Sequence, residues 1–180
     1  LKVTSFESLG GATHEVLGDG SVLLSGEAPD RDTYTIEVET DLTGIRAIKL
    51  ETLTDPSLPG QGPGRGDAER PNFVLHTFAA EARPRTGGDA HTVAFTSVTA
   101  DFSQKNLNVA GAIDADPKTG WAINPKFHAP HWAQFETAAP LGFEGGSVLT
   151  FRLEQHFGAS RTIGRLRLSA VTGNVGGDSI

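Results

Sequence analysis

Apolar and polar residues alternate in short segments along most of the chain. In TYTIEVET (33–40), every second residue up to Val38 is apolar, and threonine or glutamate stands between them. This period of two is typical of a half-buried β-strand. Similar segments are SVLLSGE (21–27), IRAIKLETL (45–53), NFVLHTFAAEA (72–82), TVAFTSVTADF (92–102), HWAQFET (131–137), SVLTFRLEQHF (147–157) and TIGRLRLSAV (162–171). With no convincing amphipathic helix, the pattern predicts an all-β fold, an antiparallel β-sandwich or jelly roll.

The length of 180 residues suits one domain. We expect a single sandwich over residues 1–172, followed by a flexible tail or linker remnant at 173–180, where GNVGGDSI is rich in glycine. The first residue is not methionine, and neither a secretory leader nor an apolar run of membrane length is found. The expectation is therefore a piece of a larger exported protein, without membrane insertion.

Charge and cysteine content exclude several classes of function. The formal net charge of −7 and the pI near 5.3 disfavour nucleic acid and anionic membranes as partners, because both attract basic surfaces. The absence of cysteine excludes disulfides, thiolate catalysis and cysteine-ligated metals. Acidic residues in turns are, in contrast, what a calcium site needs.

The segment AIDADPKTGW (112–121) is a candidate calcium turn. Calcium takes oxygen ligands from carboxylates, carbonyls and hydroxyls around a tight turn. Asp114, Asp116 and Thr119 stand close enough in sequence to surround one structural ion. The alternative is an Asx turn closed by one of the two aspartates, with Pro117 presetting the backbone.

The segment NPKFHAPHW (124–132) is a candidate sugar-binding loop. Its aromatic and imidazole rings, on Phe127, His128, His131 and Trp132, could stack on a sugar and bond its hydroxyls. The two histidines could instead bind a transition metal, although no third ligand stands nearby. A tryptophan of a β-sandwich is also more often a core residue than a sugar platform.

The segment DPSLPGQGPGRGDAERP (55–71) interrupts two predicted strands and is too long for a plain hairpin. One interpretation is a mobile surface excursion. The other is a binding loop that presents Arg65, and with it Asp67, at one end of the sandwich. Arg65 would then pair with a sulfate or carboxylate if the bound glycan is anionic.

Catalytic motifs are missing. The chain has no GxSxG, no HExxH and no glycine-rich phosphate loop. A small glycan-active enzyme would need two carboxylates facing one cleft, and the sequence cannot place two at the required separation. The prediction is a protein that is not an enzyme.

Residues 100–123, ADFSQKNLNVAGAIDADPKTGWAI, resemble the signature of galactose-binding-like jelly rolls, the discoidin or coagulation factor 5/8 type C domains and related carbohydrate-binding modules. In that family the run S-x-Q … A-x-D-G-x-x-x-T-x-W forms a calcium loop. Ala115 replaces the usual glycine, and Asp116 stands near the usual Asn or Asp. The matching residues are Ser103, Gln104, Ala112, Asp114, Thr119 and Trp121.

The order of segments departs from that family. The signature lies near the N-terminus of ordinary discoidin-like domains, whereas here IRAIKLE and NFVLHTFAAEA, which look like late strands, precede it. The resemblance therefore implies a circularly permuted or rearranged jelly roll. The place of a glutamate that often completes the calcium shell, around Thr77, has no carboxylate.

A second resemblance covers most of the chain. TYTIEVETDLTGIRAIKLETLTDPSLPGQGPGR, AIDADPKTGWAINP and RTIGRLRLS look like a domain of large planctomycete proteins that also contain DUF1549 and DUF1553 regions and often a cytochrome c module. This resemblance implies an exported, multidomain parent protein, but no ligand.

The leading interpretation is a non-catalytic carbohydrate-binding module that tethers a larger protein to a polysaccharide or oligosaccharide. Weak single-site affinity would be offset by multivalency. The alternative is a structural or docking domain that positions neighbouring catalytic or haem modules, which would need an exposed apolar patch.

Overall fold

The computed structural model describes residues 1–173, and these form two antiparallel sheets packed as a sandwich. The tail predicted at 173–180 lies, except for Gly173, outside the described residues. Sheet A contains, in spatial order, β1 (Lys2–Ser8), β4 (Asp32–Thr40), β10 (Ser147–Gln155), β6 (Thr77–Pro84) and β7 (His91–Thr92). Sheet B contains β2 (Thr13–Val16), β3 (Val22–Ser25), β11 (Arg165–Thr172), β5 (Ile45–Thr52), β9 (His131–Leu141) and β8 (Phe95–Ala100). The predicted all-β antiparallel sandwich is confirmed. Its finer description as a permuted, galactose-binding-like jelly roll stays a prediction.

Alternation along the strands produces the core. In β4 the side chains are buried and half-buried in strict turn, with Tyr34, Ile36 and Val38 inward. Phe78 of sheet A stacks on Phe135 of sheet B, with ring centroids 3.9 Å apart. Apolar faces that pack in this way remove their area from water, which is the main favourable term in folding.

Two strands lack the alternating pattern and were not predicted. In β1 the apolar residues Val3 and Phe6 are three apart rather than two, because the register shifts between Val3 and Ser5. All four residues of β2 are exposed, so this strand has no buried face to reveal it. A bulge and a solvated edge strand both remove the signal of period two.

Two predicted strands differ in extent: the predicted strand 92–102 is divided between β7 in sheet A and β8 in sheet B, and the predicted strand 72–82 is shorter in the structure. The segment 72–82 enters β6 only at Thr77, and the buried residues 72–76 before it form a single bridge, between Leu75 and Trp121. Their apolar character reflects burial at the end of the sandwich. A short apolar run does not by itself separate a strand from a buried connection.

Strand pairing brings the long connections together. Thr52 at the end of β5 pairs with His131 at the start of β9, and Glu154 near the end of β10 pairs with Thr77 at the start of β6. Bridges between Gly64 and Ile163 and between Leu75 and Trp121 then join connections of both sheets. The segments 53–76, 101–130 and 156–164 therefore meet at one end of the sandwich, called the loop end below.

The segment 55–71 is packed into the loop end. It includes a short 3₁₀ helix at Pro59–Gln61, and Gly62 to Arg65 are buried. The Gly64 amide donates to the Pro71 carbonyl at 2.9 Å. A Cβ at Gly64 would lie 1.9 Å from the Asn72 carbonyl oxygen, so only glycine permits this close approach. The structure thus contradicts the interpretation of 55–71 as a mobile excursion.

Candidate functional site

A cleft of about 180 Å³ lies at the loop end, where its three connections meet. Its wall combines two phenylalanines, two arginines, three side-chain amides and two aliphatic residues. These are Phe127, Phe157, Arg70, Arg161, Asn72, Gln104, Asn124, Val74 and Leu107. Aromatic rings beside a few directed polar groups are typical of small-molecule and sugar sites.

The two phenylalanines of the cleft differ in exposure. Phe127 is half-buried and packs against the core cluster, so its ring is held in place. Phe157 is 60% exposed, which is unusual for so large an apolar side chain. Phe157 would have been buried had β10 continued, since Phe151, Leu153 and Gln155 all face inward. The strand ends at Gln155 and the chain turns at Gly158, whose φ is +101°.

An amide network forms the floor of the cleft. Asn72 Oδ1 accepts hydrogen bonds from the Phe73 and Ile123 amides at 3.0 Å each, and Asn72 Nδ2 donates to Gln104 Oε1 at 2.9 Å. Gln104 Oε1 also accepts from the Asn124 amide at 3.0 Å. The Gln104 side-chain nitrogen makes no hydrogen bond within residues 1–173, so it can donate to a ligand.

The arginines of the cleft are not engaged in ion pairs with the described residues. Among the described residues, neither Arg70 nor Arg161 makes an ion pair within 4.0 Å. Arg161 Nη1 donates to the Arg70 carbonyl, and its backbone is fixed by a bond from the Val74 amide at 3.1 Å. Asp67 lies near both: hydrogen bonds from the Glu69 and Arg70 amides, with a smaller effect of the two arginine charges, lower its pKa.

His128 and His131 hold the loop that carries Phe127. His128 is exposed, and its Nδ1 lies 2.6 Å from the Gly60 carbonyl oxygen. His131 is buried, with Nδ1 at 2.8 Å from Asp101 Oδ2 and Nε2 at 2.6 Å from the Lys126 carbonyl oxygen. Because both ring nitrogens of His131 are occupied, its position argues against the predicted direct contact with sugar.

Trp132 lies away from the cleft, on the outer face of sheet B. It is half-buried, pairs with Glu51 across the sheet, and has the Lys49 ammonium 5.4 Å from its ring centroid. The predicted contacts are therefore divided, with Phe127 at the cleft and Trp132 on a sheet face. Trp121, in contrast, is fully buried, and its indole nitrogen donates to the Phe102 carbonyl at 2.8 Å.

Arg65 is not presented at the surface. It is 5% exposed, and its amide donates to the Thr162 carbonyl at 3.1 Å. This position corrects the expectation of a solvent-facing arginine on a binding loop. The physical reason is the close packing of the 55–71 segment, which draws Arg65 inside.

The turn at 114–119 is oxygen-rich. Thr119 Oγ1 lies 2.6 and 2.7 Å from the two Asp114 carboxylate oxygens, 3.0 Å from the Asp116 carbonyl oxygen and 3.2 Å from the Gly111 carbonyl oxygen. One hydroxyl hydrogen can serve only one of these four acceptors. Such a set of oxygens fits a hard cation such as calcium.

The same turn also has the features of an Asx turn. The Asp116 amide donates to Asp114 Oδ1 at 2.9 Å, and the Lys118 amide donates to Asp116 Oδ1 at 2.9 Å. Within the described residues no group of three or more His, Cys, Asp or Glu side chains is placed to hold a metal. Calcium would therefore depend on carbonyl and hydroxyl oxygens with one carboxylate, a combination that favours weak binding.

Reasoning from sequence found Phe127 but missed Phe157, Arg70 and Arg161. The sequence showed charged residues in the 69–71 segment and the turn residues GAS at 158–160. It did not show that these two segments lie together in the fold, because 90 residues separate the two arginines in the chain. Gln104 was noted only as part of a family signature.

Comparisons of the chain with protein-family models, with curated proteins and with solved structures found no match. The resemblances noted from the sequence therefore stay predictions. None of the helices in the described part of the chain has the length and apolar character needed to cross a membrane.

Proposed function

We propose that this chain is a non-catalytic carbohydrate-binding module and that the loop-end cleft receives the glycan. The observation that carries the proposal is that the exposed ring of Phe157 and the anchored ring of Phe127 line one cleft together with three side-chain amides. Phenylalanine rings can stack on the apolar face of a sugar, and side-chain amides can bond its hydroxyls.

The two arginines of the cleft favour a glycan with uronate or sulfate groups. Arginine pairs with carboxylates and sulfates through its fork of donors. The net charge of −7 opposes an anionic ligand at long range. Arg70 and Arg161 concentrate positive charge locally, which supports an acidic glycan at this position over the rest of the surface.

In this proposal calcium, if bound, is structural. Asp114, Thr119 and the carbonyl oxygens of Gly111 and Asp116 would hold it, and the ion would stiffen the turn that precedes Trp121.

The proposal that the module belongs to a larger exported protein rests on the sequence resemblance alone. In that setting multivalency would strengthen a weak single site.

The test is a glycan screen of the domain with neutral, uronate-containing and sulfated polysaccharides, followed by calorimetric titration of each hit. Both steps are run with calcium and with a chelator. We expect saturable binding that Phe157→Ala weakens about tenfold or more, since burying a phenylalanine side chain contributes about 1.5–3 kcal/mol. Trp132→Ala is the matched control, because it removes an aromatic ring from a different face.

The opposite result would move the site. Binding lost in Trp132→Ala and kept in Phe157→Ala would place the glycan on the outer face of sheet B. No binding by a folded protein to any of these glycans would contradict the proposal and favour the docking domain. A docking domain would need an exposed apolar patch. The large apolar side chains that are exposed among the described residues stand on separate segments, and they are Leu9, Val16, Leu42 and Phe157.

A further inference from the structure

Two segments that line the loop-end cleft are joined by a pair of histidines. Residues 70–74 supply three of the lining side chains, and residues 157–161 supply two. His76 stands two residues after the first segment, and His156 directly precedes the second. Their rings stack with centroids 3.6 Å apart and an angle of 18° between the ring planes. This pair is called the histidine stack below.

A hydrogen bond within the histidine stack depends on the protonation of His76. The His156 amide donates to His76 Nδ1 at 3.2 Å. A ring nitrogen that accepts a hydrogen bond carries no proton, so the bond requires a neutral His76 with its proton on Nε2. In the charged imidazolium both ring nitrogens are donors, and the bond from the His156 amide is lost.

The surroundings of His76 favour its neutral form. The side chain is buried, and burial, with a smaller effect of the charge on His156, lowers its pKa from 6.5 to about 4. The Glu154 carboxylate of β10 opposes this shift, although Arg152 Nε lies 3.6 Å from it. From the 101–130 segment, Gly120 packs against the His76 backbone and brings no charge. His156 and Glu154 are thus the charged groups that act on His76 among residues 1–173.

Other contacts between the two segments keep their protons in acid. The Val74 amide donates to the Arg161 carbonyl at 3.1 Å, and Arg161 Nη1 donates to the Arg70 carbonyl. Backbone amides and guanidinium groups do not lose or gain protons as the pH falls from neutral. Acid therefore acts on the histidine stack and leaves the contacts of Arg161 in place.

Phe157 is the cleft residue next to the histidine stack. Its ring is 60% exposed, so few side-chain contacts hold it. The backbone before it is fixed by the bond from the His156 amide to His76. The backbone after it is fixed by the Ala159 amide, which donates to Asp30 Oδ1 at 2.8 Å. Loss of the His156 bond would leave Phe157 held from one side.

We propose that the histidine stack makes glycan binding in the cleft sensitive to acid. When His76 takes up a proton, the bond from the His156 amide breaks, Phe157 leaves its position in the cleft, and the glycan dissociates. This inference rests on the proposed function of the cleft. Since coupling between two sites is reciprocal, a bound glycan should in turn make His76 harder to protonate by the same factor.

The first test is calorimetric titration with a sulfated glycan, whose ester charge does not change with pH, from about pH 7 to about pH 3. We expect the affinity to fall about fivefold or more. His76→Asn places Oδ1 near the position of Nδ1, so it can accept from the His156 amide without titrating. Its affinities at the two pH values should therefore stay similar. His91→Asn, which replaces an exposed histidine of β7, is the matched control and should lose affinity as the parent does.

The second test needs no glycan. In NMR spectra of the ligand-free protein, the ring signals of His76 and Phe157 should change with one common midpoint, and Phe157 should not respond in His76→Asn. If no glycan binds, the proposed function fails, and this measurement still decides whether the histidine stack moves Phe157. Phe157 signals that stay constant while His76 titrates would overturn the inference.

A second variant covers the case in which His76→Asn does not fold. His156→Asn removes the stacked ring and its charge, both of which lower the pKa of His76. The midpoint of the His76 signals should therefore rise, and the pH at which Phe157 responds and glycan affinity falls should rise with it. A midpoint that moves alone would contradict the coupling, as would equal acid loss of affinity in the parent and in a folded His76→Asn.

Discussion

The outer face of sheet B and the loop-end cleft each present two arginines, and the two pairs differ in their partners. On the sheet, Arg167 Nε and Nη2 lie 2.7 and 3.1 Å from the Glu51 carboxylate oxygens. Arg165 and Arg167 also reach Asp19 at 2.9 and 3.2 Å. In the cleft, Arg70 and Arg161 have no such pair among residues 1–173.

The pKa values of the acidic partners reflect this difference. Hydrogen bonds from the Ser21 side chain and amide, with the charges of Arg165 and Arg167, lower the pKa of Asp19 to about 2. The side-chain hydrogen bond from Arg167 lowers the pKa of Glu51. Arginines neutralised in this way stabilise the sheet and have little left for a ligand. The same residue type therefore serves the fold on one surface and is available for binding on the other.

Substitution of Asn72, which belongs to the amide network of the cleft, should have the largest effect on stability. Asn72→Ala leaves the buried amides of Phe73 and Ile123 without an acceptor, and each such group costs about 1–3 kcal/mol. We expect a loss of about 3 kcal/mol in the free energy of unfolding, measured by urea denaturation. Gln134→Ala, on the outer face of sheet B, should stay within about 0.5 kcal/mol of the parent. Equal losses would show that Asn72 has no special role.

Substitution of an arginine on the sheet and of an arginine in the cleft should have opposite effects on stability and on glycan binding. Arg167→Ala breaks the contacts with Glu51 and Asp19, and we expect a stability loss of about 1 kcal/mol without a change in glycan binding. Arg70→Ala should alter stability by less than about 0.5 kcal/mol but weaken binding of an acidic glycan. Urea midpoints and titration calorimetry measure the two effects. The comparison fails if Arg167→Ala lowers affinity as much as Arg70→Ala does.

The smallest effects should appear on acidification, in two separate windows. Burial and the stacked ring of His156, with centroids 3.6 Å apart, lower the pKa of His76 from 6.5 to about 4. Between these values the unfolded chain binds the proton more readily, so stability falls as the pH falls. The nearby carboxylate of Glu154 opposes this shift. Asp19 acts in the same direction between 3.8 and about 2, since its folded pKa is also the lower one.

Urea midpoints measured from pH 7 to pH 2 test both windows. The Asp19 window should contribute less than about 1 kcal/mol, because solvent screens that exposed carboxyl group. The His76 window should be the larger of the two, because the His76 side chain is buried. Asp19→Asn should remove only the lower window, and His76→Asn only the upper one. A pH profile that neither variant changes would contradict both assignments.

Local patterns of apolar and polar residues were sufficient to predict the β-sandwich but not to locate the candidate site. The alternation in TYTIEVET predicted β4 to within one residue, because each side chain's face depends only on its neighbours along the strand. The two tryptophans show the limit: both are followed by apolar residues, yet Trp121 is buried and Trp132 lies on a solvated face. Their burial depends on what packs above them.

The sequence alone determined that this chain forms an antiparallel sandwich, since a period of two permits one apolar face per strand. Tertiary structure alone decided the chemistry at the loop end. Phe127 and Phe157 line one cleft. Arg65 is buried, since Gly64 lets the backbone approach Asn72 and Gly164 leaves room for the side chains of Leu58 and Arg65. Such contacts join residues far apart in the chain, so no local pattern of hydrophobic and polar positions encodes them.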